Sequence, residues 1–438
     1  MQADKTTLSD LSIFHAEEEQ SVFHHIDFAR TIGGRDMLRH LLGSPLSNLA
    51  EIRGTQQVLQ LIISVHAQWP EQISNGTVMV VGRFYETAVS DIPSNPNAFS
   101  ALMYKLMNGA DYSAIRYSVT HCIDFVQGLQ STARLLYQPD APPILEQHIT
   151  RIARLLEHPV IRAMLQEIPK QPLAPHKVLE YGRFLRLHYK QQLYELLDIY
   201  YLMDAWYGMA TACKTHQLQF PEFVEQEQPL LKASELYHPL LQTPVAYSVG
   251  LTPEKNFLFL TGANMGGKST FIKAVGVAVY LAHAGMGVPA QSMQLTMFHG
   301  LLSNIQMADN IIKGESYFYN EVQRIRKTIE KINDGKKWLI LIDELFKGTN
   351  VQDAMKCSTA VIEGLRKMKN ALFILSTHLY EIGESLQQYP NIQFRYFETS
   401  IHNEQLVFSY QLKEGVSNDR LGYLILKKEG IVEMLERL

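Results

Sequence analysis

Nine residues just past the middle of the chain, Gly262-Ala-Asn-Met-Gly-Gly-Lys-Ser-Thr270, have the types and spacing to hold the phosphates of a nucleotide. Gly262, Gly266 and Gly267 let the main chain turn tightly, so its N–H groups can converge on phosphate oxygens. A helix starting near Lys268 adds the partial positive charge of its N-terminus. Lys268 is long enough to reach the β- and γ-phosphates, the Ser269 hydroxyl suits Mg²⁺, and Thr270 can make one more phosphate contact. Gly262-x-x-x-x-Gly267-Lys268-Ser269 satisfies the Walker A phosphate-loop pattern in full. Gly262, Ala263, Asn264, Met265, Gly266, Gly267, Lys268, Ser269 and Thr270 are therefore expected to cradle ATP.

Hydrolysis needs more than a cradle. In Leu339-Ile-Leu-Ile-Asp-Glu344 four apolar residues end in two acids. Asp343 can join Ser269 in holding Mg²⁺, and Glu344 can orient and deprotonate the attacking water. Ile374-Leu-Ser-Thr-His378 repeats the form, an apolar run with a polar tip, and His378 can contact the γ-phosphate. The expected catalytic set is Glu344, His378 and Lys268. An Asp-Glu pair alone is an ordinary solvated strand end, and a lone His after a strand is more often structural. The ordered set of three gives both a functional reading.

Elements must bring these residues together. Phe257–Thr261, Trp338–Ile342 and Ala371–Ser376 read as short buried strands separated by helical patterns, with later strands near 394–398 and 405–411. Strand–helix alternation predicts an α/β domain with a largely parallel sheet, whose ligands gather at the carboxyl ends of the strands. Before residue 230 nearly everything reads as helix. Val178 to His216 carries apolar residues at helical spacing without a proline, which predicts one helix of roughly 40 residues and about 60 Å. Ile26–Leu42 and Glu51–His66 read as shorter helices. The expected domains are 1–230, helical, and 231–438, α/β.

Composition excludes little. A 438-residue chain that is 46% hydrophobic and 19% charged, with net charge −4, suits a globular protein and gives no general signature of nucleic-acid binding. The first 225 residues hold 18 Lys+Arg against 23 Asp+Glu. Cys122, Cys213 and Cys357 have no metal-ligand spacing and fit a reducing, cytoplasmic setting. The acidic N-terminus lacks the apolar core of a signal peptide. The apolar stretch 271–290 contains Lys273 and His283 and reads as the helix after the phosphate loop, so no membrane partner is expected.

With these residues in view, the chain resembles the MutS family of mismatch-repair ATPases. Thr261–Thr270 is similar to that family's Walker A, Gly285–Ala290 to the segment closing the next helix, and Gly314–Val322 to its signature segment. Asp343–Asn350 resembles its Walker B and dimer loop, Thr377-His378 its histidine switch, and Tyr237-His-Pro239 its entry to the ATPase domain. Thr31–Leu46 and Ile52–Leu61 look like the start of its core helices; residues 70–170 match nothing named. The resemblance implies an α/β P-loop NTPase (ABC-type ATPase) domain preceded by an all-α lever or core domain. It implies a homodimer with head-to-tail ATPase domains, Ser316 of one subunit binding the γ-phosphate held by the other's Lys268, Asn350 and Asp353 near the seam, and DNA as a partner in repair or recombination.

Departures from the family shape the expectation. The family usually has proline at Ala263, and small residues or glycine at Phe346 and Ala354. No mismatch-binding domain precedes the helical core. Phe84-Tyr-Glu86 has wedge spacing but reads as core packing with a surface acid. Arg324, Arg326, Lys327 and Lys331 read as a solvated helix face, and His24-His25 as structural. The alternative to a DNA-binding ATPase is a nucleotide-switched assembly module whose acidic helical half grips a protein.

Overall fold

Apolar runs without alternation, such as Phe257–Thr261 and Ala371–Ser376, are stable only between two covering layers, and every residue of both is buried. The structure is a computed structural model that describes the chain apart from residues 170, 306–316, 403–404, 418–430 and 437–438. It folds as two units. One comprises Met1–His25, Ser44–Ile52 and His216–Leu438, the other Ile26–Gly43 and Arg53–Thr215. The sequence placed a single boundary at 230/231; the chain instead contributes its first 25 residues to the α/β unit.

The reason lies in pairing. Strand β1 (Gln2–Ala3) is too short to show periodicity, but it pairs in parallel with β7 (Gly300–Asn304). Helix α1 (Lys5–Asp10) then sets two polar side chains on β7. Ser303 N donates to Thr7 Oγ1 at 3.0 Å, Ser303 Oγ to Asp10 Oδ2 at 2.6 Å, and Ile305 N to the same oxygen at 2.9 Å. Helix α2 (Val22–Ile26) follows.

The helical unit is built from α3 (Ile32–Gly43), α4 (Leu49–Val65), α5 (Asn75–Arg83), α6 (Ala98–Met107) and α7 (Gly109–Leu136), then α8 (Pro143–Leu156), α9 (Pro159–Leu165), α10 (Pro175–His188) and α11 (Lys190–Thr215). Helix α4 starts within the other unit's share of the chain. The expected 40-residue helix is two. It breaks at Tyr189, whose backbone leaves helical geometry (φ −126°, ψ 10°) while its ring is buried and its hydroxyl donates to Leu155 O at 2.5 Å. Burying that ring and satisfying its hydroxyl outweighs one turn's continuity. Phe84 is buried and Glu86 exposed, so this triplet packs as read and presents no aromatic wedge.

One buried acid organises this unit. Asp204 on α11 is 1% exposed and caps the start of α3, accepting from Arg30 N at 3.0 Å, Thr31 N at 2.9 Å and Thr31 Oγ1 at 2.6 Å. Gly34 is required there, because a Cβ would lie 2.0 Å from Asp204 Oδ2. Asp204→Ala strands two amides and is expected to cost about 2–4 kcal/mol. The full chain's urea midpoint for this unit measures it, and an unchanged midpoint would refute the cap.

The α/β unit adds β2 (Glu222–Phe223), β3 (Leu231–Leu236), β4 (Tyr247–Leu251), β5 (Phe257–Thr261), α12 (Lys268–His283), β6 (Ser292–Leu295), α13 (Tyr317–Ile332), β8 (Trp338–Asp343), α14 (Val351–Leu365), β9 (Ala371–Ser376), α15 (Glu381–Leu386), β10 (Ile392–His402) and β11 (Gln405–Glu414). The main sheet runs β1-β7-β8-β9-β5-β10-β11, parallel except for the β10–β11 pair. A smaller sheet runs β2-β6-β3-β4. Strand β9 sits between β8 and β5, with Ser376 in register with both Asp343 and Leu260. Three strand ends therefore deliver Gly262, Glu344 and Thr377-His378 to one edge.

Candidate nucleotide site

The loop after β5 has the geometry its glycines imply. Gly262 has φ +142°, and a Cβ there would lie 3.2 Å from Phe397 Cβ on β10. Gly267, at φ +108°, leads into α12. Met265 takes φ +65° with its side chain exposed. Lys268 is 5% exposed, and its ammonium donates to Gly262 O at 2.8 Å and Ala263 O at 3.0 Å. Burial lowers the Lys268 pKa, opposed by the carboxylates of Glu344 and Asp343. The ammonium thus lies over the loop that would carry phosphate.

Asp343 ends β8 facing that loop. Ser269 Oγ donates to its Oδ2 at 2.5 Å, and Ser376 Oγ donates to Oδ1. A serine hydroxyl and a carboxylate in contact fit Mg²⁺, a hard cation that takes oxygen ligands and keeps most of its shell for phosphate and water. Among the described residues no group of three or more His, Cys, Asp or Glu forms another metal site. His25 stacks on His216 with ring centroids 4.0 Å apart, and burial pushes its pKa down to about 4.

Glu344 stands beyond Asp343 in a left-handed conformation, φ +63°, with its N–H bonded to Ser376 O at 2.9 Å. Holding a residue with a Cβ there costs about 1–2 kcal/mol. His378 Nε2 donates to Glu344 Oε1 at 2.7 Å, and Lys347 Nζ meets Oε2 at 3.0 Å. Burial disfavours the Glu344 charge, but His378 and Lys347 override it and hold the carboxyl at about 2. Lys268 Nζ approaches His378 Nε2 at 3.4 Å; a nitrogen giving its proton to Glu344 cannot also accept, so this is proximity rather than a bond. Lys268, Ser269, Asp343, Glu344 and His378 are thus brought together as expected.

Sequence reasoning missed the other wall. A cavity of about 440 Å³ is lined by the loop, Glu344 and His378, and also by Leu241, Val245, Tyr247 and Tyr410. These come from the connection before β4, from β4 itself and from β11, too far apart in sequence for any motif to join them. An apolar and aromatic wall opposite a phosphate loop suits a flat ring. Ser316 lies outside the described residues.

Residues assigned to a dimer seam have local duties too. Asn350 caps α14, accepting from Asp353 N at 3.0 Å and donating Nδ2–H to Asp353 Oδ2 at 2.6 Å. Phe346 is buried at φ +59°, a conformation glycine takes freely. The basic cluster on α13 is not one solvated face. Arg324 turns in to donate to Ser303 O, Arg326 pairs with Glu330 at 2.8 Å, and Lys331 lies over the Trp338 ring. Among the described residues no helix is long and apolar enough to cross a membrane.

Residues 258–435 match the family model described as MutS domain V. The chain is 31% identical over 239 residues to MutS protein homolog 4 of Homo sapiens, covering 52% of this chain and 25% of that protein. It is 29% identical over 274 residues to the DNA mismatch repair protein MutS of Oceanobacillus iheyensis, covering 59% of this chain and 31% of the relative. The protein of that name from Petrotoga mobilis is 26% identical over 240 residues, 54% and 29%. The matches span about a quarter to a third of these relatives' lengths.

Proposed function

We propose that this chain, which belongs to the MutS family, is an ATPase that hydrolyses ATP at sites completed by a second copy and acts on DNA. One observation carries the ATPase reading: Lys268, Ser269, Asp343, Glu344 and His378, spread over 110 residues, meet at one sheet edge. The loop amides and Lys268 bind the phosphates. Ser269 and Asp343 hold Mg²⁺, which neutralises phosphate charge when bound. Glu344 orients water against the γ-phosphorus and takes its proton as the β–γ bridging bond breaks. His378 keeps Glu344 aimed. Tyr410 and Val245 face the base. The α/β domain is His216–Leu438 together with Met1–His25 and Ser44–Ile52, and the helical unit is the lever.

The composite site rests on the family resemblance. In such a head-to-tail dimer the Ser316 hydroxyl donates to the γ-phosphate held by the partner. Ser316→Ala is expected to lower turnover about tenfold or more at protein concentrations where dimers form, the loss of one charge-assisted hydrogen bond. Unchanged turnover removes the composite site.

DNA enters from the relatives' names and is tested by steady-state ATPase assays with duplex, branched and mismatched DNA. Stimulation by any one supports it. Absence of both stimulation and low-salt binding, with turnover intact, favours the second reading: a nucleotide-switched assembly module. The acidity of the first 225 residues, which disfavours phosphate-backbone contact, motivates that reading. A pull-down with and without a non-hydrolysed ATP analogue tests it.

A further inference from the structure

Glu321 has no part in the site above, yet it is 2% exposed on α13, in an interior where a bare carboxylate costs several kcal/mol. Its Oε1 accepts the Lys347 N–H at 3.4 Å, and its Oε2 has no partner among the described residues. The amides of Gly348 and Phe346 also act on this carboxylate; burial raises its pKa, and these three N–H groups oppose the rise. Three successive N–H groups around a left-handed residue form an anion-binding nest. Here the anion belongs to the protein itself. The same helix grips the loop a second time, through Phe318 on the Phe346 ring, with centroids 5.6 Å apart.

The held loop is the one that follows the proposed catalytic base. It begins at Glu344 with φ +63° and passes through Phe346 with φ +59°. It carries Lys347, whose side chain meets Glu344 Oε2 at 3.0 Å, and ends at the α14 cap. Two residues with side chains sit in a conformation that costs each about 1–2 kcal/mol, so something outside the loop must enforce it. Glu321 accepts from the loop's backbone at Lys347, between them and Asn350.

We infer that Glu321 is a positioning residue for hydrolysis: its carboxylate holds the main chain at Lys347, within the run of amides 346–348, and thereby fixes where Glu344 points. The inference rests on the ATPase reading. Because Glu321 acts on the base and not on the cradle, its loss should reduce kcat and spare nucleotide affinity.

The test combines turnover, titration of a fluorescent ATP analogue, and amide hydrogen exchange over residues 344–350 in the full chain. Glu321→Ala is expected to lower kcat about 10- to 100-fold, the penalty of a small misplacement of a reacting group. Analogue affinity should stay near wild type, and exchange at 346–348 should rise. Glu321→Gln keeps a same-shaped acceptor and should recover most of kcat. Wild-type kcat in Glu321→Ala, unchanged exchange, or an affinity loss as large as the kcat loss would each overturn the inference. Should the alanine variant fail to fold, Glu321→Asp, which keeps the charge but withdraws it, must show the same kcat loss with affinity retained. A wild-type protein that binds the analogue but never turns over defeats the ATPase reading instead, and reduces Glu321 to a structural support.

Discussion

Lys268→Ala should abolish measurable ATP binding. The Lys268 ammonium is buried over the phosphate loop, bonded to Gly262 O and Ala263 O, with Asp343 and Glu344 as the charges around it. Moving it onto two phosphates replaces neutral acceptors with anionic ones, each such bond being worth about 1.5–3 kcal/mol. Losing both weakens affinity on the order of 10²- to 10⁴-fold. The alanine also removes a cation that offsets the charge of two acids beside an anionic ligand. Titration with a fluorescent analogue measures the effect. Affinity within a few-fold of wild type would mean that the phosphates lie elsewhere. Lys268→Arg is no safe control, because the fixed guanidinium fork is larger than the point charge this loop encloses.

The second large effect separates chemistry from binding. Glu344→Gln is expected to lower turnover about 10²- to 10⁴-fold, the usual contribution of a positioned general base, while analogue affinity stays near wild type. The amide oxygen can still accept from His378, so the side chain keeps one of its anchors. What disappears is the charge that takes the proton from water. Single-turnover measurements with excess protein are the clean readout, since they exclude product release. Full turnover in this variant would move the base to another residue.

The features that were legible in the sequence are local. Leu339–Glu344 shows its nature within six residues, because a strand buried on both faces must be apolar throughout and a charged end then has only the sheet edge to occupy. The phosphate loop reads the same way: its glycines, lysine and serine act within nine residues of one another. The unread features depend on distant partners. Tyr410 and Val245 face one cavity from opposite ends of the α/β unit. Asp204 looks like any helix-surface acid until α3 is seen to begin against it. Tyr189 keeps helical spacing on both sides, and only the Leu155 carbonyl waiting for its hydroxyl explains the break. Glu321 lies inside a segment recognised by resemblance, yet its acceptor role depends on Lys347, 26 residues later.

The pairing of β1 with β7 also bears on how the protein reaches this structure. Gln2 and Ala3 meet Gly300 and Leu301, so this strand waits for nearly three hundred residues before its partner exists. The helical unit, all of whose residues precede His216, can form during that wait, whereas the sheet must close a very long loop and will be slow to complete. Until then β7 carries an open edge, the kind of surface on which chains pair wrongly with one another. A fragment cut at residue 231 would keep that edge open permanently. Met1–Asp10 would then decide whether the nucleotide-binding half is obtained as a monodisperse protein or an aggregate.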